Sequence, residues 1–275
     1  MVTKRTDYTA EAVEAARSVM LELSRILGEY REDMVIVGGW VPELLIEKAP
    51  RAHIGSLDVD IALNHRTLHK IGYKTILQLL LSHGYRQSEQ PFIFFRAVQI
   101  GERQIDVEVD FLAGEYSGTT RSHRTQRVQD MRPRKARGCD LALSMATEIR
   151  VSGSLPGGAK DSATLRVASI VPFFVMKSMA LVSRLMEKDA WDIYYCLRYY
   201  PGGIDNLVDE FKPHLSNKLV QEALVNLAEK FASPEHVGPV HVADFEDVAS
   251  MEERAVLQRD AYERMQALFL RLKNG

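Results

Sequence analysis

The chain has 275 residues, enough for one large domain or two modest ones with cores of their own. Its 46% hydrophobic and 26% charged residues are those of an ordinary globule, and a net charge of −2 argues against a protein that coats nucleic acid over its whole surface. Cys139 and Cys196 are too few for a disulfide framework or zinc site. Lys4 and Arg5 precede no signal-like apolar core, and the most apolar run, 170–182, is interrupted by Pro172 and Lys177, so a cytoplasmic chain without membrane contact is expected.

In chain order, residues 9–27 predict an amphipathic helix, with Thr9 as cap and Glu11 and Glu14 in its early turns. Met34-Val35-Ile36-Val37 reads as a buried strand, Gly38-Gly39 as a tight turn, and 41–46 as a helix with Pro42 in its first turn. Such a strand, glycine turn and helix start can cradle a triphosphate. Strands are predicted at 57–63, 92–100, 104–112, 140–147 and 165–170, with a helix over 67–83. The glycine-rich stretch 153–159 reads as a turn or a linker. From Val171 the pattern becomes helical, at 173–186, 189–199, 204–211, 217–231 and 251–272. The fold class expected is α+β, with a mixed sheet and flanking helices in a catalytic domain over 1–170. A helical domain over 171–275 would contribute the second half of the site.

The chemistry centres on Asp58-Val59-Asp60. On a strand, side chains two apart share a face, so both carboxylates can converge on one point. Asp is depleted from strands, and paired like charges repel unless a cation or proton separates them. Mg²⁺ accepts one or two carboxylates and completes its shell with water and phosphate oxygens, so the pair points to metal-dependent phosphoryl or nucleotidyl transfer. Asp106, Glu108 and Asp110 alternate with β-branched residues on a later strand. Asp110, beside the terminal turn, is the candidate third ligand, while Asp106 and Glu108 taken singly read as a solvent-facing acidic strand. Three carboxylates could hold two cations about 3.5–4 Å apart.

Further on, Lys177 sits in an apolar run and is expected to meet an anion. On one continuous helix Lys177, Arg184, Lys188 and Asp192 would form a stripe, separated by seven, four and four residues. Asp189 and Asp192 could orient the lysine or bind base or acceptor, or be ordinary helix charges. The segment 121–137 gathers Arg121, Arg124, Arg127, Arg132, Arg134, Lys135 and Arg137 with His123, opposed by Asp130. It is a candidate contact for an RNA backbone or nucleotide phosphates, or else a solvated basic loop.

Together these motifs resemble the nucleotidyltransferase-fold superfamily, which has an apolar-Gly-Gly turn, a D-x-D and a third acid on a later strand. The order of motifs is most similar to AbiEii-type nucleotidyltransferases, the toxins of type IV toxin–antitoxin systems. There a helical Lys (here Lys177), a downstream Arg (Arg184) and a D-x-x-D (Asp189 and Asp192) follow. The likeness covers roughly 34–198. The Gly39–Asp58 interval is longer than usual, and Gly55-Ser56-Leu57 stands where many relatives carry Arg or Thr. The resemblance implies transfer of an NMP from an NTP to an acceptor hydroxyl with Mg²⁺ or Mn²⁺. Asp58, Asp60 and Asp110 would be metal ligands. Gly38, Gly39, Ser56, Lys177, Arg184, Asp189 and Asp192 would contact the nucleotide, with Lys177 also catalytic. It further implies RNA, with the tRNA 3′ end leading, as acceptor and a cognate antitoxin as partner. A small-molecule or protein nucleotidyltransferase and a catalytically silent nucleotide- or RNA-binding module are the rival readings.

Overall fold

A computed structural model describes residues 4–68, 74–115 and 125–274. By their contacts they divide into a sheet unit, 9–41 and 55–169, and a helical unit, 1–8, 42–54 and 170–275. Residues 1–8 and 42–54, which the sequence groups with the strands, thus cluster with the helices.

The sheet unit begins with α1 (Ala10–Ile26), whose Thr9 side chain accepts a hydrogen bond from the Ala12 amide. Ala15, Ala16, Val19, Met20 and Leu23 recur at helical spacing and are buried. Eight strands follow: β1 (Met34–Val37), β2 (Asp58–Leu63), β3 (Arg86–Gln87), β4 (Ile93–Ile100), β5 (Arg103–Ala113), β6 (Arg134–Lys135), β7 (Ala146–Ser154) and β8 (Lys160–Ala168). They form one mixed sheet in the order β3-β4-β5-β2-β1-β8-β7. β2 runs parallel to β5, and β1 parallel to β8 and antiparallel to β2. β6 adds to β5 at Leu112 and Ala113, past the point where β4 stops pairing at Asp110.

Ile61 of β2 and Ile36 of β1 line a small hollow with Met20 and Leu23 of α1, so α1 covers that face. By alternation Asp58 and Asp60 belong to the opposite face. The short helix α4 (Cys139–Ser144) packs on β1, β2, β5 and β8.

Two expectations differ here. The strand predicted at 140–147 is α4 followed by β7. Gly138 takes φ +94 and starts a helix, and Cys139 and Ala142 bury at an i, i+3 spacing, which shares one face on a helix but not on a strand. The helix predicted over 67–83 is confined, among the described residues, to α3 (Ile76–Ser82), which starts at a Thr75–Gln78 capping box. Residues 69–73 lie outside the described residues. The 153–159 stretch is the turn of the β7–β8 hairpin, closed by Leu155 N–H donating to the Ala159 carbonyl.

The helical unit holds α5 (Ile170–Ser183), α6 (Glu187–Tyr199), α7 (Gly203–Phe211), α8 (Lys218–Lys230), α9 (Val237–Phe245) and α10 (Met251–Asn274). α5 packs on α6, α7 and α8, and α6 on α9 and α10, around Phe173, Phe174, Trp191, Phe211, Phe231 and Phe245. α9 is absent from the sequence reading because Gly238-Pro239 reads as a loop. Here the proline occupies the first turn, where its missing N–H costs nothing, and Gly238 lies so close to the Phe231 ring that a Cβ would come within 2.6 Å. Among the described residues no helix is long and apolar enough to cross a membrane.

Candidate functional site

The parallel β2–β5 register sets Asp58 beside Glu108 and Asp60 beside Asp110. Four carboxylates therefore occupy adjacent positions on one sheet face, since both strands alternate in step. β1 feeds into the turn Gly38–Trp40, where Gly38 has φ +72 and a Cβ would come 1.9 Å from Asp60 Oδ2. Only glycine lets the backbone pass that close in that conformation. The fully buried Trp40 donates from its indole N–H to the Asp58 carbonyl at 2.7 Å, tying the turn to the start of β2. Ser56 Oγ donates to Asp58 Oδ1 at 2.5 Å. Gly38, Gly39, Ser56, Asp58, Asp60 and Asp110 are thus assembled in one unit, as the motif spacing requires. The helix after the glycines, α2 (Val41–Leu45), is only five residues long, too short to carry the full dipole of a phosphate-binding helix.

Glu108, read from sequence as a surface acid, and Arg134, read as one cation of the basic segment, join this face. Glu108 is half-buried. Burial first, then repulsion from Asp58 and Asp110, raises its carboxyl above the ordinary range, against a smaller pull from Arg134. Arg134 reaches Asp110 at 2.5 Å and lies over the Phe92 ring at 5.9 Å. The strict alternation Asp106–Glu108–Asp110 carried the signal for Glu108. Nothing in the basic segment singles out Arg134, because its partner is set by β6 joining β5.

Among the described residues no three His, Cys, Asp or Glu side chains converge closely enough to enclose a metal ion. The three-ligand set of Asp58, Asp60 and Asp110 is not preassembled, with Asp110 ion-paired to Arg134. The all-oxygen donor pair Asp58 and Asp60 still suits Mg²⁺ or Mn²⁺, which need only one or two protein carboxylates beside water and phosphate.

Among the other described cations of the basic segment, Lys135 of β6 is half-buried. Arg127, Arg132 and Arg137 are exposed around a tight turn in which Val128 and Met131 bridge, and Arg137 lies 4.0 Å from Glu115. Arg121, His123 and Arg124 lie outside the described residues.

In the helical unit, Lys177 meets an anion as expected, but the anions are the chain's own. Its ammonium is 2.7 Å from both Asp189 and Asp192. Asp192 also accepts from Lys188 at 2.7 Å and from His53 Nε2 at 3.0 Å, and Asp189 from Arg184 at 2.8 Å. The single stripe expected of Lys177, Arg184, Lys188 and Asp192 does not form. The helix breaks after Ser183, Leu185 takes φ +48, and α6 packs on α5, so residues that would follow one another along a helix instead face each other.

Lys177, Lys188, Asp189 and Asp192 are all buried, while the Arg184 side chain is half exposed. Burial opposes every charge in this group. Even so, Lys177 is held above the ordinary lysine range by Asp189 and Asp192, and Asp192 well below the carboxylate range by Lys177 and Lys188. His53 is pushed down to about 4, by burial first, with Lys188 and Lys177 adding to it against the hydrogen bond to Asp192. It is therefore neutral and donates from Nε2.

No family model, curated protein or solved structure matches this chain.

Proposed function

We propose that the chain is a metal-dependent nucleotidyltransferase that moves an NMP from an NTP to an acceptor hydroxyl. The observation that carries the reading is the β2–β5 register, which puts Asp58 and Asp60 alongside Glu108 and Asp110 behind a glycine turn. A structural role accounts poorly for four neighbouring carboxylates on one face, because their mutual repulsion destabilises the sheet unless a cation offsets it. Asp58 and Asp60 would hold Mg²⁺ or Mn²⁺, which supplies charge neutralisation for the attacking and leaving oxygens.

The chain's own groups do the positioning. Ser56 fixes one Asp58 oxygen and Trp40 fixes the Asp58 backbone. Gly38 leaves room for the Asp60 carboxylate. The acceptor oxygen forms a bond to the α-phosphorus as the bond to the β-phosphate bridging oxygen breaks, and pyrophosphate leaves in line. Glu108, which pairs with Asp58 in the β2–β5 register, would be the carboxylate to take the acceptor proton.

The motif order shared with AbiEii-type toxins supports RNA as acceptor, the tRNA 3′ end first, with exposed Arg127 and Arg132 as backbone contacts and an antitoxin as regulator. One fold carries many acceptors, so a protein or small molecule is the second reading. The test is transfer of α-³²P label from each of the four NTPs to total RNA by wild type and Asp58→Ala. Label on tRNA-sized RNA that vanishes in the variant supports the proposal. Asp58-dependent NTP binding without RNA label moves the acceptor to protein or small molecule. No metal-dependent NTP binding at all sinks the enzyme reading.

A further inference from the structure

The Asp110 carboxylate is engaged by Arg134 at 2.5 Å, yet the two side chains differ sharply in access, Arg134 being 40% exposed and Asp110 10%. Arg134 stands on β6, the two-residue strand that takes over the β5 edge beyond β4, with its guanidinium above Phe92. One side of that guanidinium thus has a fixed support and a carboxylate, and the other has solvent.

We infer that Arg134 is a substrate-sensing latch: it holds Asp110 in the free protein and exchanges it for a phosphate of the incoming nucleoside triphosphate, releasing Asp110 to join Asp58 and Asp60. The inference rests on the nucleotidyl-transfer reading above. A guanidinium presents the same fork to carboxylate and phosphate, and a triphosphate carries more charge than one carboxylate, so the exchange runs toward phosphate once nucleotide is present. Asp110 cannot serve Arg134 and a cation with the same oxygen at full strength. Arg134 thus binds the phosphate itself and, through Asp110, sets when the third carboxylate is available. Its consequence is linkage: cation and triphosphate each favour the released state, so each strengthens binding of the other.

The latch is tested by isothermal titration with two probes used separately, Mn²⁺ alone and tripolyphosphate in EDTA. The proteins are wild type, Arg134→Ala, Arg134→Gln, Asp110→Asn and the Arg134→Ala/Asp110→Asn double variant. Freeing Asp110 by Arg134→Ala or Arg134→Gln is expected to tighten Mn²⁺ binding about 10-fold, and freeing Arg134 by Asp110→Asn to tighten tripolyphosphate binding by a similar factor. In the Asp110→Asn background, removing Arg134 should leave Mn²⁺ affinity unchanged. Tightening that persists in that background would be long-range charge alone and would overturn the latch. So would tripolyphosphate binding that is indifferent to Arg134. Asp58→Asn separates the two levels: Mn²⁺ binding that ignores Asp58 removes the nucleotidyl-transfer reading itself, whereas Asp58-dependent binding without the Arg134 effects removes only the latch.

Discussion

His53 gives a pH dependence of stability that can be worked from its surroundings. Its ring is fully buried between Trp191 and Tyr195, with centroid distances of 5.0 and 4.8 Å, and Nε2 donates to Asp192. The charged groups acting on it are Asp192, Lys188 and Lys177. Its pKa falls from the ordinary 6.5 to about 4, so between those values the unfolded chain binds a proton that the folded chain refuses. Stability from this group is therefore complete above pH 6.5 and is lost as pH falls toward 4, totalling about 3 kcal/mol. Down to pH 5 the loss from pH 7.5 is about 2 kcal/mol. Asp192, held low, acts only below the ordinary carboxylate range, so the window between belongs to the histidine. Urea unfolding of wild type and His53→Gln at several values from pH 7.5 to 4.5 isolates the histidine's contribution, because Gln keeps a donor for Asp192 and cannot titrate. The difference between the two proteins should shrink by about 2 kcal/mol on going to pH 5. A difference that stays constant across that range would refute the buried, neutral imidazole.

Two further outcomes test the same framework. Lys177→Met keeps the aliphatic volume but leaves Asp189 and Asp192 short of their shared cation, so unfolding free energy should fall by about 3–5 kcal/mol. Chemical denaturation reads this directly, and a loss below about 1 kcal/mol would show that the lysine is not part of the framework. Gly38→Ala forces a side chain into the left-handed region and onto Asp60, and should cost about 1–3 kcal/mol. It should also weaken Mn²⁺ binding, whereas unchanged Mn²⁺ affinity would mean that Asp60 does not need that cradle.

What could be read from the residues follows the range of the interactions involved. β1, β2, β4 and β5 are encoded locally, by four consecutive apolar residues at Met34–Val37 and by alternation elsewhere, and the sequence places them within a residue or so of their observed ends. α1 and α8 carry their caps, Thr9 and Asn217, in the sequence. The carboxylate face needed one non-local fact, the parallel β2–β5 register, which no alternation pattern contains. That register promotes Glu108 from a surface acid to a member of the group, just as the β5–β6 pairing turns Arg134 from one cation in a basic run into the partner of Asp110.

Besides the missed α9, the helical half departs from the sequence reading in the stripe that spans the break between α5 and α6. Spacing along one helix makes Lys177, Arg184, Lys188 and Asp192 a stripe. A single left-handed residue, Leu185, ends that regularity, and packing of α6 on α5 does the rest. The consequence bears on function. Three cations, Lys177, Lys188 and Arg184, face two carboxylates, Asp189 and Asp192, while His53 is neutral, so the group keeps one net positive charge. Lys177 and Lys188 are enclosed, with side-chain exposures of 8% and 7%, whereas Arg184 is at 50%. A buried lysine already satisfied by two carboxylates would have to break those contacts to take a phosphate, at a cost of several kcal/mol. Of the residues that the helical motifs nominate for nucleotide contact, Arg184 is the one with a half-exposed side chain, while Lys177, Asp189 and Asp192 are buried and paired with one another.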